Sequence, residues 1–163
     1  MGRGCVAEPM ERTTALITFA PASEAALTAA LDGMGLSLPA PGHFTVGSGL
    51  VLARAAPGQV LAMREAGAAL MEELAPLHEV AGLIDLSDAR VGVRIAGPNA
   101  ADGLARLLPI DLHPSRFGPG RCANTLMAHL SVMVLQHGPA DYELQCGRSF
   151  AGSFLRAVSA AAA

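Results

Sequence analysis

Apolar residues recur along this chain in two rhythms, one of two residues and one of three to four. Val91, Val93 and Ile95 alternate with Gly92, Arg94 and Ala96, so a strand over these residues has one apolar face. Ala81 to Leu86 is a second short apolar run, and Ser87-Asp88 separates the two with side chains that bond backbone amides in turns. Gly97-Pro98 opens a helix, because proline at the first helical position forfeits no hydrogen bond. Leu104, Leu107 and Leu108 then fall on one helical face.

The same rhythms extend in both directions. Upstream they predict a strand over Thr13–Phe19, a helix over Ser23–Met34 with Leu27, Leu31 and Met34 inward, and a loop from Pro39 to Gly49. Strands follow over Leu50–Arg54 and Gln59–Arg64 around a Pro57-Gly58 turn. A helix over Glu65–Leu74 turns Leu70 and Leu74 inward and ends at Pro76. Downstream, Pro109–Gly120 is irregular. Cys122–His137 is a bent strand, or two strands that break near His129 to Ser131. Asp141–Cys146 reads as an edge-like strand after Gly138-Pro139. Ser149 is the N-cap of a last helix striped by Phe150, Phe154, Leu155 and Val158. The order is that of two βαββαβ-like halves, an α+β domain with helices packed on mainly antiparallel sheet. The expected boundaries are a flexible arm at 1–12, a domain at 13–158 with lobes near 13–78 and 79–158, and a tail at 159–163.

Composition narrows the picture. Of the 163 residues 52% are apolar, but alanine supplies much of that share and only 4% are aromatic, so the core has few large anchors and burial against another chain gains weight. A net charge of −3 leaves no electrostatic footprint for nucleic acid or anionic lipid. All 11 basic residues are arginine, which excludes a Schiff-base lysine, a Walker lysine and a lysine general base. Cys5, Cys122 and Cys146 match no zinc or redox spacing. Met1–Met10 lacks the apolar centre of a signal peptide, and no apolar run reaches spanning length, so a cytosolic location is the simplest expectation.

Candidate chemistry is sparse. Histidines 43, 78, 113, 129 and 137 form no ligand pair at i+2, i+3 or i+4. Gly97 to Gly103 loosely follows a phosphate loop but lacks its lysine and hydroxyl residue. Cys122 beside Arg121 could be activated as a nucleophile, although a cysteine opening an apolar strand is more simply a small core residue. Asp85, Asp88, Asp111 and Glu143 form no evident carboxylate pair. Asp111 and His113 are acid–imidazole neighbours, unless Asp111 caps a turn ahead of Pro114. Arg90 and Arg94 share the strand face opposite Val91 and Val93, which suits either a partner surface or plain solvation.

Taken in order, Asp85-Leu86-Ser87-Asp88-Ala89-Arg90, Gly97-Pro98, Leu108-Pro109-Ile110-Asp111-Leu112-His113-Pro114, Phe117, Gly120-x-Cys122-Ala123-x-Thr125-Leu126 and Arg148-Ser149-Phe150 resemble the gamma subunit of heterotetrameric sarcosine oxidase. The likeness is good from Leu83 to Val158 and weaker before it, where Gly35 to Pro39 contributes. Pro57 to Leu61, Gly118 and Asn124 depart from the family pattern. The resemblance implies a fold related to the folate-binding half of the glycine-cleavage T-protein and a place in a complex with alpha, beta and delta subunits. FAD, FMN, NAD, zinc and tetrahydrofolate would all sit on those partners. Gamma itself would be a packing and assembly subunit with no catalytic residues. The expected partner-facing set is Arg90, Arg94, Asp111, His113, Phe117, Arg121 and Arg148. A matching subunit of an N-methylglutamate dehydrogenase and a stand-alone folate-binding protein are the alternative expectations.

Overall fold

A computed structural model describes residues 4–162. In chain order its regular elements are β1 (Val6–Met10), β2 (Arg12–Thr18), α1 (Glu24–Gly33), β3 (His43–Gly47), β4 (Leu50–Ala56), β5 (Gln59–Glu65), α2 (Leu70–Leu74) and β6 (Gly82–Asp85). They continue with β7 (Arg90–Ala96), α3 (Ala100–Ala105), β8 (Cys122–Met127), β9 (Leu130–Gly138), β10 (Asp141–Gly147) and α4 (Ala151–Ala162). The chain divides into two compact units, one over Glu11–Asp88 and one that joins the stretch ending at Met10 to the stretch beginning at Ala89.

Each unit is built on a five-stranded antiparallel sheet, ordered β3-β4-β5-β2-β6 in one and β8-β9-β10-β7-β1 in the other. The two orders are equivalent, with β2 answering to β7 and the hairpins β3-β4-β5 to β8-β9-β10. The last seat is filled by β6 from downstream in one sheet and by β1 from the chain start in the other.

In the Glu11–Asp88 unit, alternate strand residues Ala15, Ile17, Leu50, Leu52, Val60 and Ala62 make one sheet face, and Leu27, Leu31, Leu70, Leu74 and Leu77 cover it. In the other unit Val93, Ile95, Val132, Val134, Tyr142 and Leu144 meet Leu104, Leu108, Phe154 and Val158. Burial of each such leucine or phenylalanine contributes about 1.5–3 kcal/mol, which is how short helices of weak intrinsic stability are held. The two-residue hairpin turns at Ser48-Gly49 and Ala128-His129 have positive φ at both positions (49° and 77°, 47° and 73°), the primed geometry whose twist suits antiparallel strands. The second of these turns overlaps, at His129, the break expected near His129 to Ser131.

Several expectations are corrected. The arm expected at 1–12 instead contains β1, paired with β7 from Val6↔Ala96 to Met10↔Gly92, while residues 1–3 lie outside the described residues. A strand with no hairpin partner nearby in sequence has no local signature. The loop at 39–49 contains β3, and the helix at 65–74 shrinks to α2, because Glu65 still pairs with Arg12 in the sheet. Strands β6 and β7 belong to different sheets, so the unit boundary falls at 88/89 instead of near 78. Far from being an edge, β10 lies between β7 and β9. The last helix begins after a 3-10 turn over Arg148–Phe150 whose N-cap position is Gly147, so Ser149 lies within the turn, and Phe150 and Leu155 are 53% and 40% exposed. That helix also runs on to Ala162 through most of the expected tail; Ala163 lies outside the described residues.

Two measurements check this account. Phe154 is fully buried, so Phe154→Ala should cost about 3–5 kcal/mol in urea unfolding. Arg64 donates from Nε and Nη2 to Glu73 and from Nη1 to the Ser48 carbonyl at 2.6 Å. The hydrogen bonds from Arg64 hold the Glu73 carboxyl below the ordinary glutamate value of 4.5. A folded pKa below the unfolded one gives stability that is present above pH 4.5 and lost as pH falls through the folded value. Glu73→Gln should therefore be less stable than the parent at pH 7, and urea midpoints should converge as pH drops below 4.5.

Candidate functional site

The most deeply buried charged group among the described residues is Glu143, with no exposed surface, at the centre of β10. Directly across the ladder lies Leu135 on β9, and His137 lies two residues further along the same strand, just before the turn into β10. His137 Nε2 donates to Glu143 Oε2 at 2.9 Å, and Gln145 Nε2, two residues along β10, donates to Oε1 at 2.7 Å. A buried carboxylate is tolerable when its oxygens are engaged in this way. Gly92 on β7 makes the space, since a Cβ there would stand 2.5 Å from Gln145 Nε2.

Around this network lie the residues singled out from sequence. Arg94 donates from Nε and Nη2 to the two Asp141 oxygens, both at 2.8 Å, so Arg94 and Asp141 form a fork-to-fork pair at the sheet surface. The guanidinium holds the Asp141 carboxyl below its usual range. Arg90 is half-buried, its Nε has no acceptor, and burial pulls its pKa down. The thiol of Cys146 feels that guanidinium, but its own burial dominates and pushes it upward, away from the thiolate form that nucleophilic chemistry needs. Arg148 is exposed and donates from Nη2 to the Arg90 carbonyl at 3.2 Å.

The Asp111–His113 pairing resolves into a turn. Asp111 Oδ1 accepts from the backbone N–H of His113 at 2.9 Å, while His113 Nδ1 faces Ser115 Oγ at 2.8 Å. Phe117 is 5% exposed and belongs to the core under β8 and β9, so it leaves the partner-facing set. Leu112 of the same irregular passage joins that core with it. Arg121 is half-buried, and Cys122 is buried at the start of β8 in keeping with the core reading. Among the described residues, no three His, Cys, Asp or Glu side chains are grouped to hold a metal ion.

Two polar constellations escaped the sequence. The His137–Glu143–Gln145 set was legible in principle from strand parity across a short turn. The ion pair of Arg54 with Glu24, at 2.8 and 3.0 Å, joins residues 30 positions apart and had no local signal. Both sets join donors to acceptors across separate stretches of chain and so hold the backbone in place.

Glu143→Leu should cost about 1–3 kcal/mol in urea unfolding, because Gln145 loses its acceptor in a dry site. Cys5, Cys122 and Cys146 are all buried, so Ellman titration of the native chain should proceed only at the rate of unfolding.

Comparison with known proteins converges on one family. The model of the family described as "Sarcosine oxidase, gamma subunit family" matches residues 19–163. The sarcosine oxidase subunit gamma of Corynebacterium sp. (strain U-96) is 33% identical over 130 residues, covering 77% of this chain and 62% of the relative. That of Arthrobacter sp. is 34% identical over 123 residues, covering 74% and 60%. The chain thus spans about three-fifths of the curated relatives it matches. A chain of the heterotetrameric sarcosine oxidase from Corynebacterium sp. U-96, solved with pyrrole 2-carboxylate, superposes with a TM-score of 0.86 at 27% identity, covering 99% of this chain and 86% of that one. The glycine cleavage system aminomethyltransferase T of Bartonella henselae shares the fold, with a TM-score of 0.65 at 16% identity over 93% of this chain and 45% of that one. The T-protein-like α+β architecture expected from sequence is therefore present, and the chain belongs to the sarcosine oxidase gamma subunit family.

Proposed function

We propose that this chain is a non-catalytic assembly subunit of a heterotetrameric flavoenzyme complex that oxidatively demethylates sarcosine or a related N-methyl amino acid. The observation that carries this reading is the match of nearly the whole chain, 99%, to a subunit of a heterotetrameric sarcosine oxidase at 27% identity. In this reading the cofactors FAD, FMN, NAD and zinc sit on alpha, beta and delta partners, with tetrahydrofolate taking up the released one-carbon unit on alpha. The geometry supports such a division of labour. His137 and Gln145 engage the two oxygens of the buried Glu143, and burial pushes the Cys146 thiol upward, away from the thiolate form. The partner-facing set is then Arg90, Arg94, Arg121 and Arg148 with the exposed Asp111–His113 turn, where arginine suits carboxylates on a neighbour. The core rests on alanine and aliphatic residues. Exposed Phe150 and Leu155 add apolar surface for a partner to cover.

Co-expression with the alpha, beta and delta chains of a heterotetrameric sarcosine oxidase should yield one flavoprotein complex containing this chain. Assay of that complex on sarcosine and on N-methylglutamate separates the two substrate readings. A monodisperse monomer that ignores those chains would refute the proposal. Calorimetry of the purified chain with tetrahydrofolate should show no heat; a stoichiometric heat would favour the stand-alone folate-binding reading.

A further inference from the structure

Charge is unevenly divided along the chain. The Glu11–Asp88 unit holds three arginines against nine carboxylates, and the other unit holds eight arginines against five. In that other unit Asp141 is paired with Arg94, Glu143 is engaged by His137 and Gln145, and Asp111 accepts from the His113 backbone. Part of its arginine surplus stands on the helices. α3 packs beside α4, Arg106 follows α3, and Arg148 and Arg156 flank the start of α4; all three arginines are exposed. Asp102 is the only carboxylate within residues 100–106 and 148–162.

The outward face of α4 is unlike that of a helix left to water. Phe154 and Val158 are buried in the core, whereas Gly152, Leu155 and Arg156 are exposed, as is Phe150 in the turn that leads in. From Arg148 to Ala162 the chain has two arginines and no carboxylate, so the mixed charges and acid–arginine pairs that lace a solvated helix are missing. Arg156 pairs with no carboxylate among the described residues; its Nη2 donates to Ser153 Oγ at 3.2 Å. Gly152 serves no packing need of the chain itself. Outside the helix backbone a Cβ there would meet Arg156 Nη1 at 3.6 Å, an ordinary contact with a movable side chain. Glycine weakens a helix relative to alanine, and what it offers in exchange is close approach of another backbone.

We infer that this face, formed by Arg148, Phe150, Gly152, Leu155 and Arg156, seats against a carboxylate-bearing surface of a partner subunit. The inference rests on the assembly reading and narrows it to one face and one sign of charge. Phe150 and Leu155 lose water to the partner, and Gly152 sets how closely it approaches. The two guanidiniums meet carboxylates that the chain's own helix layer does not supply. Aromatic and arginine side chains side by side are the composition in which interface hot spots concentrate. A net charge of −3 on the whole chain disfavours an anionic lipid surface as the occupant.

The test is Gly152→Glu in the complex assembled with the alpha, beta and delta chains of a heterotetrameric sarcosine oxidase. Glutamate favours a helix over glycine and stands one turn from Arg156, so the thermal midpoint of the variant chain should equal or exceed the parent's. Its association with the partner chains should be at least about tenfold weaker, because added bulk and negative charge both oppose docking. Parental affinity would overturn the docking face and leave the assembly reading standing; failure of the parent chain to associate at all would overturn both. Arg156→Gln should flatten the fall of affinity with rising salt, and an unchanged salt dependence would overturn the carboxylate assignment. Should Gly152→Glu fail to fold, hydroxyl-radical footprinting of the parent decides. Phe150 and Leu155, exposed in the chain alone, should be protected at least about fivefold in the complex, and unchanged oxidation would overturn the face. Sedimentation with phosphatidylserine vesicles should leave the chain in the supernatant; pelleting would overturn the protein partner in favour of lipid.

Discussion

The pairing of β1 with β7 is the contact on which the second unit depends. Five residues from the chain start, Val6 to Met10, lie antiparallel to Ala96 to Gly92 and close the fifth seat of a sheet whose other strands begin 80 residues later. Without them β7 would present a bare edge, and Cys5 would leave the core that it shares with Val93, Ile95 and Leu104. The junction is tight: a Cβ on Gly97 would stand 2.6 Å from the Gly4 carbonyl oxygen, and Asn99 N–H donates to that same oxygen at 3.0 Å. At φ +129° Gly97 adopts backbone that other residues avoid, so the opening of α3 and the entry of β1 are fixed together.

The equivalent strand orders give this pairing a wider meaning. In the Glu11–Asp88 unit the corresponding seat is taken by β6, next in sequence after α2. In the other unit α4 follows β10 as α2 follows β5, but the strand that would come next is supplied from the front of the chain. The same architecture is thus closed in two ways. The cost of closing the second is loop entropy, which rises only logarithmically with the length of chain enclosed.

Charge is handled by pairing rather than exclusion. Arg54 with Glu24, Arg64 with Glu73 and Arg94 with Asp141 each use a planar guanidinium fork against a carboxylate, a geometry lysine lacks. In each pair the carboxylate is held more acidic than usual by its arginine. These pairs position strands and helix ends, and they leave the chain with well-ordered surfaces but few reactive groups, which is what an assembly role asks of it.

Local pattern by itself determined much here. Alternation gave β2, β4, β5 and β7, and helical spacing placed Leu27, Leu31, Leu70, Leu74, Leu104 and Phe154 inward, because a residue's face follows from the period of its own element. Asp111 as a turn cap and Cys122 as a core residue were likewise readable, each depending on neighbours a few positions away. The family resemblance was also legible in the ordered motifs. Only tertiary structure decided what depends on partners distant in sequence: that Val6–Met10 is a strand, that β10 is central, that β6 and β7 part into different sheets. It alone brought Glu24 to Arg54 and turned Phe117 inward while leaving Phe150 exposed. Strand pairing and ion pairing are satisfied by whichever complementary group the folded chain brings near, and no local period encodes which one that is.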